Sequence, residues 1–536
     1  MKLLESIDCK KGITINSQLV ELLSIIDNQS LTAEQQDEQI KNYIDTLRDR
    51  QDRYLDAKSN GTGEIFVLKE VIGSIKGLSD EQMLKLQKLY QSSIKGMNIC
   101  NNDYMNKLLI ANGFDSSINT KIMKDLRNID FTAKEGILEL TPEKVRALHS
   151  HMFERGNTYD RVTFDNVGKF SSYVSIDGQT YADEKLKMML EFCERHNMQS
   201  KVNTLMFYAD YPDKFKKMLD QDGTLTQQEK KQRMKQILFD YVSDIGKYGD
   251  RIDTIDIFNE LIYDPTMKEK GPNGQDIFDE GETYHERTKG WQEDLSLEDL
   301  CEMALLARKK MPNVTFTYND VNWVNPEKRS EIIKIVQEIQ RIEQRFRAEG
   351  KLGKDEKGLI DTIGLEAHLT SDVDLSEIDR TFDDIERKIG LPVEVTELDV
   401  GRYDKNPLSV SSINKQSAVF RKFKEIAEKR PELISLTIWS QSDECCFLNK
   451  KVGRNVYASL LDSDFQEKDI SERAREFSGK SMIRNGIGKI KSIVSLVKES
   501  IHGVRDFTLL DEIEQEEVRE LNSQREEQEN TQDIQE

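Results

Sequence analysis

The chain has 536 residues, with 77 Lys and Arg against 98 Asp and Glu for a net charge of −21, and it is 37% hydrophobic and 33% charged. That length exceeds an ordinary single domain, so at least two regions are expected, with enough apolar residues for a core and a well-solvated surface. An acidic chain without a basic stripe repels phosphate, which disfavours nucleic-acid binding, and six scattered cysteines without CxxC spacing imply neither a zinc site nor a disulfide framework.

The start, Met1-Lys2-Leu3-Leu4-Glu5-Ser6-Ile7-Asp8, meets Asp before an apolar stretch forms, and no apolar run approaches the roughly 18 residues that cross a bilayer. A cytoplasmic protein without membrane attachment is the expectation. Residues 1–127 read as a helical region. Thr32 and Gln35 are spaced as a capping box, followed by Ile40, Tyr43, Ile44, Leu47, Tyr54 and Leu55 on one helical face. Ser79 and Gln82 repeat the cap before Met83, Leu86, Leu89, Tyr90 and Ile94. Such stripes pack on a neighbouring domain or on a protein partner.

From residue 128 to 480 short β-rich runs alternate with amphipathic helices. Strands are expected at Asp130–Ala133, Tyr159–Phe164, Ser200–Phe207, Thr254–Phe258, Val314–Tyr318, Ile360–Leu365, Val393–Thr396 and Leu436–Trp439. Pro142–Phe153, Asp183–His196 and Leu297–Lys310 are among the helices between them. Eight βα units predict an α/β fold, a (β/α)8 TIM barrel with its chemistry at the strands' C-terminal ends. Residues 481–510 read as one amphipathic helix, with Ile490, Ile493, Val494, Val497 and Ile501 on its apolar side. Residues 511–536, dominated by Glu, Asp and Gln, read as a solvated acidic tail.

Two of the expected strands end in glutamates. Thr254-Ile255-Asp256-Ile257-Phe258-Asn259-Glu260 places Glu260 at the end of the fourth, and Val393-Glu394-Val395-Thr396-Glu397-Leu398-Asp399 places Glu397 at the end of the seventh. Either one alone reads as a solvated residue or an ion-pair partner. As a pair they suit cleavage of a glycosidic bond, which needs one carboxyl to protonate the leaving oxygen and another to attack the sugar.

The surrounding motifs resemble those of glycoside hydrolase family ten, the β-1,4-xylanases. Asp256-Ile257-Phe258-Asn259-Glu260 resembles the family's acid/base strand, and Val395-Thr396-Glu397-Leu398-Asp399 its nucleophile strand, T-E-L-D. Asp165-Asn166-Val167-Gly168-Lys169-Phe170 is similar to E-N-x-x-K-W, Tyr318-Asn319-Asp320-Val321-Asn322 to N-D-Y-N, Gly364-Leu365-Glu366-Ala367-His368 to G-x-Q-x-H, and Trp439 with Asp443 to W-x-x-x-D. The resemblance implies Glu260 as acid/base and Glu397 as nucleophile. It also implies Asn166, Lys169, Asn203, Asn259, Glu366, His368, Asp399 and Trp439 as substrate-binding or orienting residues. His368 can donate to Glu397 and be oriented by Asp399, and Trp439 offers a flat face to a pyranose ring. A satisfied core histidine and a packing tryptophan are the plainer readings of those two residues.

Several positions depart from the pattern and are expected to face the sugar. Val202-Asn203-Thr204-Leu205-Met206-Phe207-Tyr208 stands where the family has G-H-T-L-V-W-H, Asp165 replaces Glu, and Phe170 and Phe447 replace Trp. Glu366 stands for Gln, and a third carboxylate is expected to raise the pKa of its neighbours or shift specificity. The reading is a retaining hydrolase of internal β-1,4 linkages in xylan or xylo-oligosaccharides. A β-glycosidase for another glycan, and a barrel that binds glycan or a partner without turnover, remain as alternatives. No cofactor or metal is implied; His149 and His151 fall in an expected helix where their side chains diverge.

Overall fold

The computed structural model describes residues 7–59, 78–92, 109–114, 140–154, 159–170, 184–210, 225–267, 280–443, 445–452, 454–466 and 468. Its centre is a closed barrel of eight parallel strands, β1 Lys10–Ile15, β2 Arg161–Phe164, β3 Gln199–Val202, β4 Thr254–Asn259, β5 Thr315–Val321, β6 Thr362–Glu366, β7 Val393–Gly401 and β8 Leu433–Ile438. Each pairs with the next, and β8 returns to β1 through Lys10 opposite Ser435 and Ile13 opposite Ile438. The helices include α1 Ser17–Ile26, α2 Ala33–Ser59, α3 Pro142–His149, α4 Glu184–Arg195, α5 Gln227–Ile245, α6 Leu297–Lys310, α7 Pro326–Ala348, α8 Leu375–Lys388 and α9 Val410–Lys429.

The strand that closes the barrel comes from the region expected to be helical. Lys10–Ile15 sits between β8 and β2, while the expected first strand at Asp130–Ala133 lies outside the described residues. Gly12 shows why this run fits there, since a Cβ on it would stand 2.5 Å from the Thr437 hydroxyl oxygen. Ile13 and Ile15 are fully buried, and Asn16 then caps α1 by accepting from the Leu19 N–H. Residues 16–160 separate β1 from β2, a longer stretch than joins any other neighbouring pair of barrel strands, so spacing alone does not point to β1. The two expected capping boxes form: the Thr32 N–H donates to Gln35 Oε1 at 2.8 Å and the Ser79 N–H to Gln82 Oε1 at 3.1 Å. Ile40 and Ile44 of α2 are buried in the same core as the barrel helices, so this part of the N-terminal region packs on the barrel.

The expected helix Pro142–Phe153 is α3 followed by a π-turn at Ser150–Glu154, where His149 turns to Asp27 and His151 to the Tyr159 hydroxyl. The expected C-terminal helix and acidic tail lie outside the described residues.

Inside the barrel the N-terminal half is ionic. Lys201 lies 2.8 Å from Asp256 and 2.9 Å from Glu394, and Arg161 donates to Glu394 at 2.9 Å. Burial alone would raise the Glu394 carboxyl, but the two cations outweigh it and hold it at about 2. In Asp256 burial prevails over Lys201, and its carboxyl rises to about 6.

Candidate active site

Two strand irregularities turn side chains toward the barrel axis. A regular strand sends neighbouring residues to opposite faces. The register of β7 shifts between Val395 and Leu398, and there both Thr396 and Glu397 bond inward to Asn319. A similar shift in β4 between Asp256 and Phe258 lets Asp256 and Asn259, three residues apart, both join the inner network.

Asn319 of β5 is the hub of that network. Its Nδ2 donates to Asn259 Oδ1 at 2.9 Å, Glu366 Oε1 at 2.8 Å and Glu397 Oε1 at 3.2 Å. Its Oδ1 accepts from the Thr396 hydroxyl at 2.6 Å, which fixes which end of the amide faces the acids. Asn259 and Asn319 are register partners, and Gly364 faces Asn319 on the other side. A Cβ on Gly364 would collide with Asn319 Oδ1, so the glycine makes room for the hub.

Glu397 is also held by Asn203, whose Nδ2 is 3.4 Å from Oε1, and by His368, whose Nε2 is 3.0 Å from Oε2. The other imidazole nitrogen of His368 lies 3.0 Å from Asp399 Oδ2, across a register pair. Burial disfavours charge on His368, but Asp399 and Glu397 prevail and raise it to about 10, so the ring is an imidazolium with both nitrogens donating.

Glu260 follows β4 with a left-handed φ of 50°, uncommon for a residue with a side chain. Both its backbone groups are pinned: its N–H donates to Asn319 O at 2.9 Å, and its O accepts from Arg287 Nε at 2.8 Å. Such a conformation costs on the order of 1–3 kcal/mol and persists where surrounding contacts hold it. Burial raises the Glu260 carboxyl to about 7; Arg287 and Lys328 oppose this, while Asp320 and Glu397 add to it. Glu366, 5% exposed, is raised well above the ordinary range by burial, then by Glu397, Glu260, Asp320 and Asp256.

Sequence reasoning left several contributors out. Arg287 has its Nη2 3.7 Å from Glu260 Oε2 and its guanidinium 3.2 Å from the Tyr208 ring centre, in a loop without periodicity to mark it. Lys328, fully buried in the first turn of α7, stands 3.0 Å from Asp320 and donates to Ile262 O at 2.8 Å. Only burial distinguishes it from any exposed helical lysine. Asn319 lay in a quoted motif, but its hub role needs the register to appear.

The remaining expected residues sit around this core. Asn166, with φ 61°, and Lys169 bond to each other at 2.9 Å, and the lysine lies 5.4 Å from the Phe207 ring. Trp439 is half-buried with its ring 6.1 Å from His368, and the exposed Phe447 ring is 5.1 Å from the same imidazole. Phe170 departs from the expectation that it faces the sugar. It is 2% exposed and packs edge-on against Trp291 and Tyr241, a core position where no indole donor is missed. Tyr208 is likewise buried, beneath Arg287. Among the described residues, Glu366, His368 and Glu397 bring side-chain atoms within 4.8 Å of one another, with His368 Nε2 already bonded to Glu397 at 3.0 Å.

A closed parallel barrel that gathers buried carboxylates at the C-terminal ends of different strands defines a barrel enzyme. The chain belongs to glycosyl hydrolase family 10, whose profile residues 129–476 match. The closing strand Lys10–Ile15 lies outside that match. Endo-1,4-beta-xylanase A of Thermotoga neapolitana is 24% identical over 380 residues, covering 64% of this chain and 32% of its own. Endo-1,4-beta-xylanase B of Paenibacillus barcinonensis is 24% identical over 343 residues, covering 60% of this chain and 91% of its own. The crystal structure of native xylanase 10B from Thermotoga maritima shows 17% identity and a TM-score of 0.47, covering 60% of this chain and 87% of that one. The chain spans about a third of the length of the two Thermotoga relatives, 32% of each.

Proposed function

We propose that the protein is a retaining glycoside hydrolase that cleaves β-1,4 linkages of xylan or xylo-oligosaccharides, with Glu260 as acid/base and Glu397 as nucleophile. One observation carries the assignment: the two glutamates meet on one network around Asn319, one beside the Arg287 guanidinium and the other bonded to the His368 ring. Glu260 is half-buried, and the burial it has raises its carboxyl to about 7, suited to give a proton near neutral pH. Glu397 faces the His368 imidazolium at 3.0 Å and accepts from Asn319 and Asn203, contacts that hold its oxygens in place for attack.

The steps follow from these roles. Glu260 protonates the glycosidic oxygen as Glu397 attacks the anomeric carbon, forming a glycosyl ester and releasing the leaving sugar. Glu260, now ionised, takes a proton from water as the water oxygen displaces Glu397, so configuration is retained. Trp439 stacks on the sugar, and Asn166 and Lys169 bind the glycone from the rim.

Release of reducing ends from xylan and xylo-oligosaccharides by wild type, Glu260→Ala and Glu397→Ala tests this. Turnover lost in both variants, with retained anomeric configuration in the wild-type product, supports it. Turnover that survives either substitution ends it. A second reading, a different β-linked glycan, is favoured by Phe207 and Phe447 standing where indoles were expected. Activity on another β-glycan alone would select it.

A further inference from the structure

We propose that Glu366 carries a proton in the working enzyme, so that a neutral carboxyl, donor as well as acceptor, stands beside the two glutamates of the reaction. Two geometric facts support this. The first is the distribution of cations. Glu397 faces His368 at 3.0 Å, Asp399 faces the same ring at 3.0 Å, Glu260 has Arg287 at 3.7 Å, Asp320 has Lys328 at 3.0 Å, and Asp256 and Glu394 share Lys201. Among the described residues Glu366 forms no ion pair. The His368 imidazolium has a nitrogen within 4.8 Å of a Glu366 oxygen but is already placed between Glu397 and Asp399 at 3.0 Å, and near neutral pH a buried carboxyl with no cation of its own takes a proton more readily than it keeps a bare charge.

The second fact is a shortage of hydrogens. The two on Asn319 Nδ2 face three acceptors, Asn259 Oδ1, Glu366 Oε1 and Glu397 Oε1. Glu397 has further donors in Asn203 and His368, whereas Asn319 is the donor that reaches Glu366. A charge on Glu366 would have a single shared amide hydrogen to offset it, and a proton removes that charge while Oε1 goes on accepting from Asn319. Its surroundings act in the same direction: burial most of all, then Glu397 of β7, Glu260 just after β4, Asp320 of β5 and Asp256 of β4 all favour the neutral form. A protonated glutamic acid reproduces the donor and acceptor set of the glutamine that the resembled motif carries at this place. Glu366 thereby adds no third charge against Glu260. It acts as a positioning residue that meets Asn319 and has a hydrogen to offer a sugar hydroxyl.

The experiment has two arms. Infrared difference spectra of wild type against Glu366→Gln, recorded above the about 7 of Glu260 so that most of that proton is gone, should show a protonated-carboxyl band unique to wild type. This arm needs no substrate, so it stands apart from the proposed activity. In the kinetic arm, which rests on that activity, Glu366→Gln should leave the alkaline limb of kcat/KM in place and lose at least tenfold less kcat/KM than Glu366→Ala. Absence of the band overturns the proposal. So does a limb lowered by a pH unit or more in Glu366→Gln, because removing an ionised neighbour would make Glu260 more acidic.

Discussion

His368 Nε2 stands 3.0 Å from Glu397 Oε2. With Asp399 on its other nitrogen, the ring is a cation clamped between two carboxylates, set by the cross-strand pairing of His368 with Asp399. Its proton affinity is raised from the ordinary 6.5 to about 10. A group raised on folding stabilises the fold fully below its unfolded value and loses that effect as pH climbs through its folded value. The difference in Tm between wild type and His368→Gln should therefore be greatest below pH 6.5 and shrink toward pH 10. A constant difference across that range would show that the ring is neutral. The same variant should lose on the order of tenfold or more in kcat, since Glu397 gives up its counter-charge.

Glu260 and Arg287 set the alkaline side of the pH profile. With Glu260 as the proposed acid, kcat/KM should fall as pH rises past about 7. Arg287 favours the carboxylate, and removing its charge raises the Glu260 pKa further. Arg287→Gln should move the alkaline limb upward by roughly half to one unit, while Arg287→Lys keeps the charge and holds it nearer to wild type. An upward shift equally large in Arg287→Lys would assign the effect to the lost bond with Glu260 O instead.

The sequence revealed the outline of this site because Glu260 and Glu397 each close an apolar, β-branched run that marks a strand. Thr254–Asn259 forms where periodicity placed it, with Glu260 just past its end, while the expected Val393–Thr396 runs on to Gly401, so Glu397 lies within the strand at its register shift. Single-strand patterns do not disclose register or bulges. The shift in β7 that turns Thr396 and Glu397 inward together, and the pairing that puts Asn319 among three acceptors, depend on neighbours distant in sequence. Phe170 illustrates the opposite error, because a motif position says nothing about which face a ring presents once Trp291 and Tyr241 pack on it.

The ionic cluster at the barrel centre should dominate acid stability. Glu394 joins Lys201 and Arg161, all buried, so truncating it leaves two cations without their shared partner. Glu394→Ala should cost about 3–5 kcal/mol. The carboxyl is depressed from 4.5 to about 2, so its contribution is present above pH 4.5 and disappears as pH falls toward 2. Urea midpoints at pH 7 and at pH 3 should differ less in Glu394→Ala than in wild type. An equal loss in both proteins would move the acid sensitivity to other carboxylates.

The closing strand gives the most direct test of the fold. Read from the sequence, the first 127 residues formed a helical region before the barrel, and a region of that kind can be trimmed without opening the sheet. In the structure, Lys10–Ile15 supplies the backbone partners of both β2 and β8, and without it those two strands face each other across a gap. Unpaired buried backbone groups are costly, and a barrel missing one stave exposes two edges. A chain starting at residue 28, without β1 and α1, should therefore lose its cooperative thermal transition. Gly12→Val tests the same joint more gently. Its new side chain meets Thr437 at the β1–β8 seam, an overpacking expected to cost about 1–3 kcal/mol with the fold otherwise intact. If the truncated chain melts cooperatively at the wild-type temperature, another segment closes the barrel and the assignment of β1 fails.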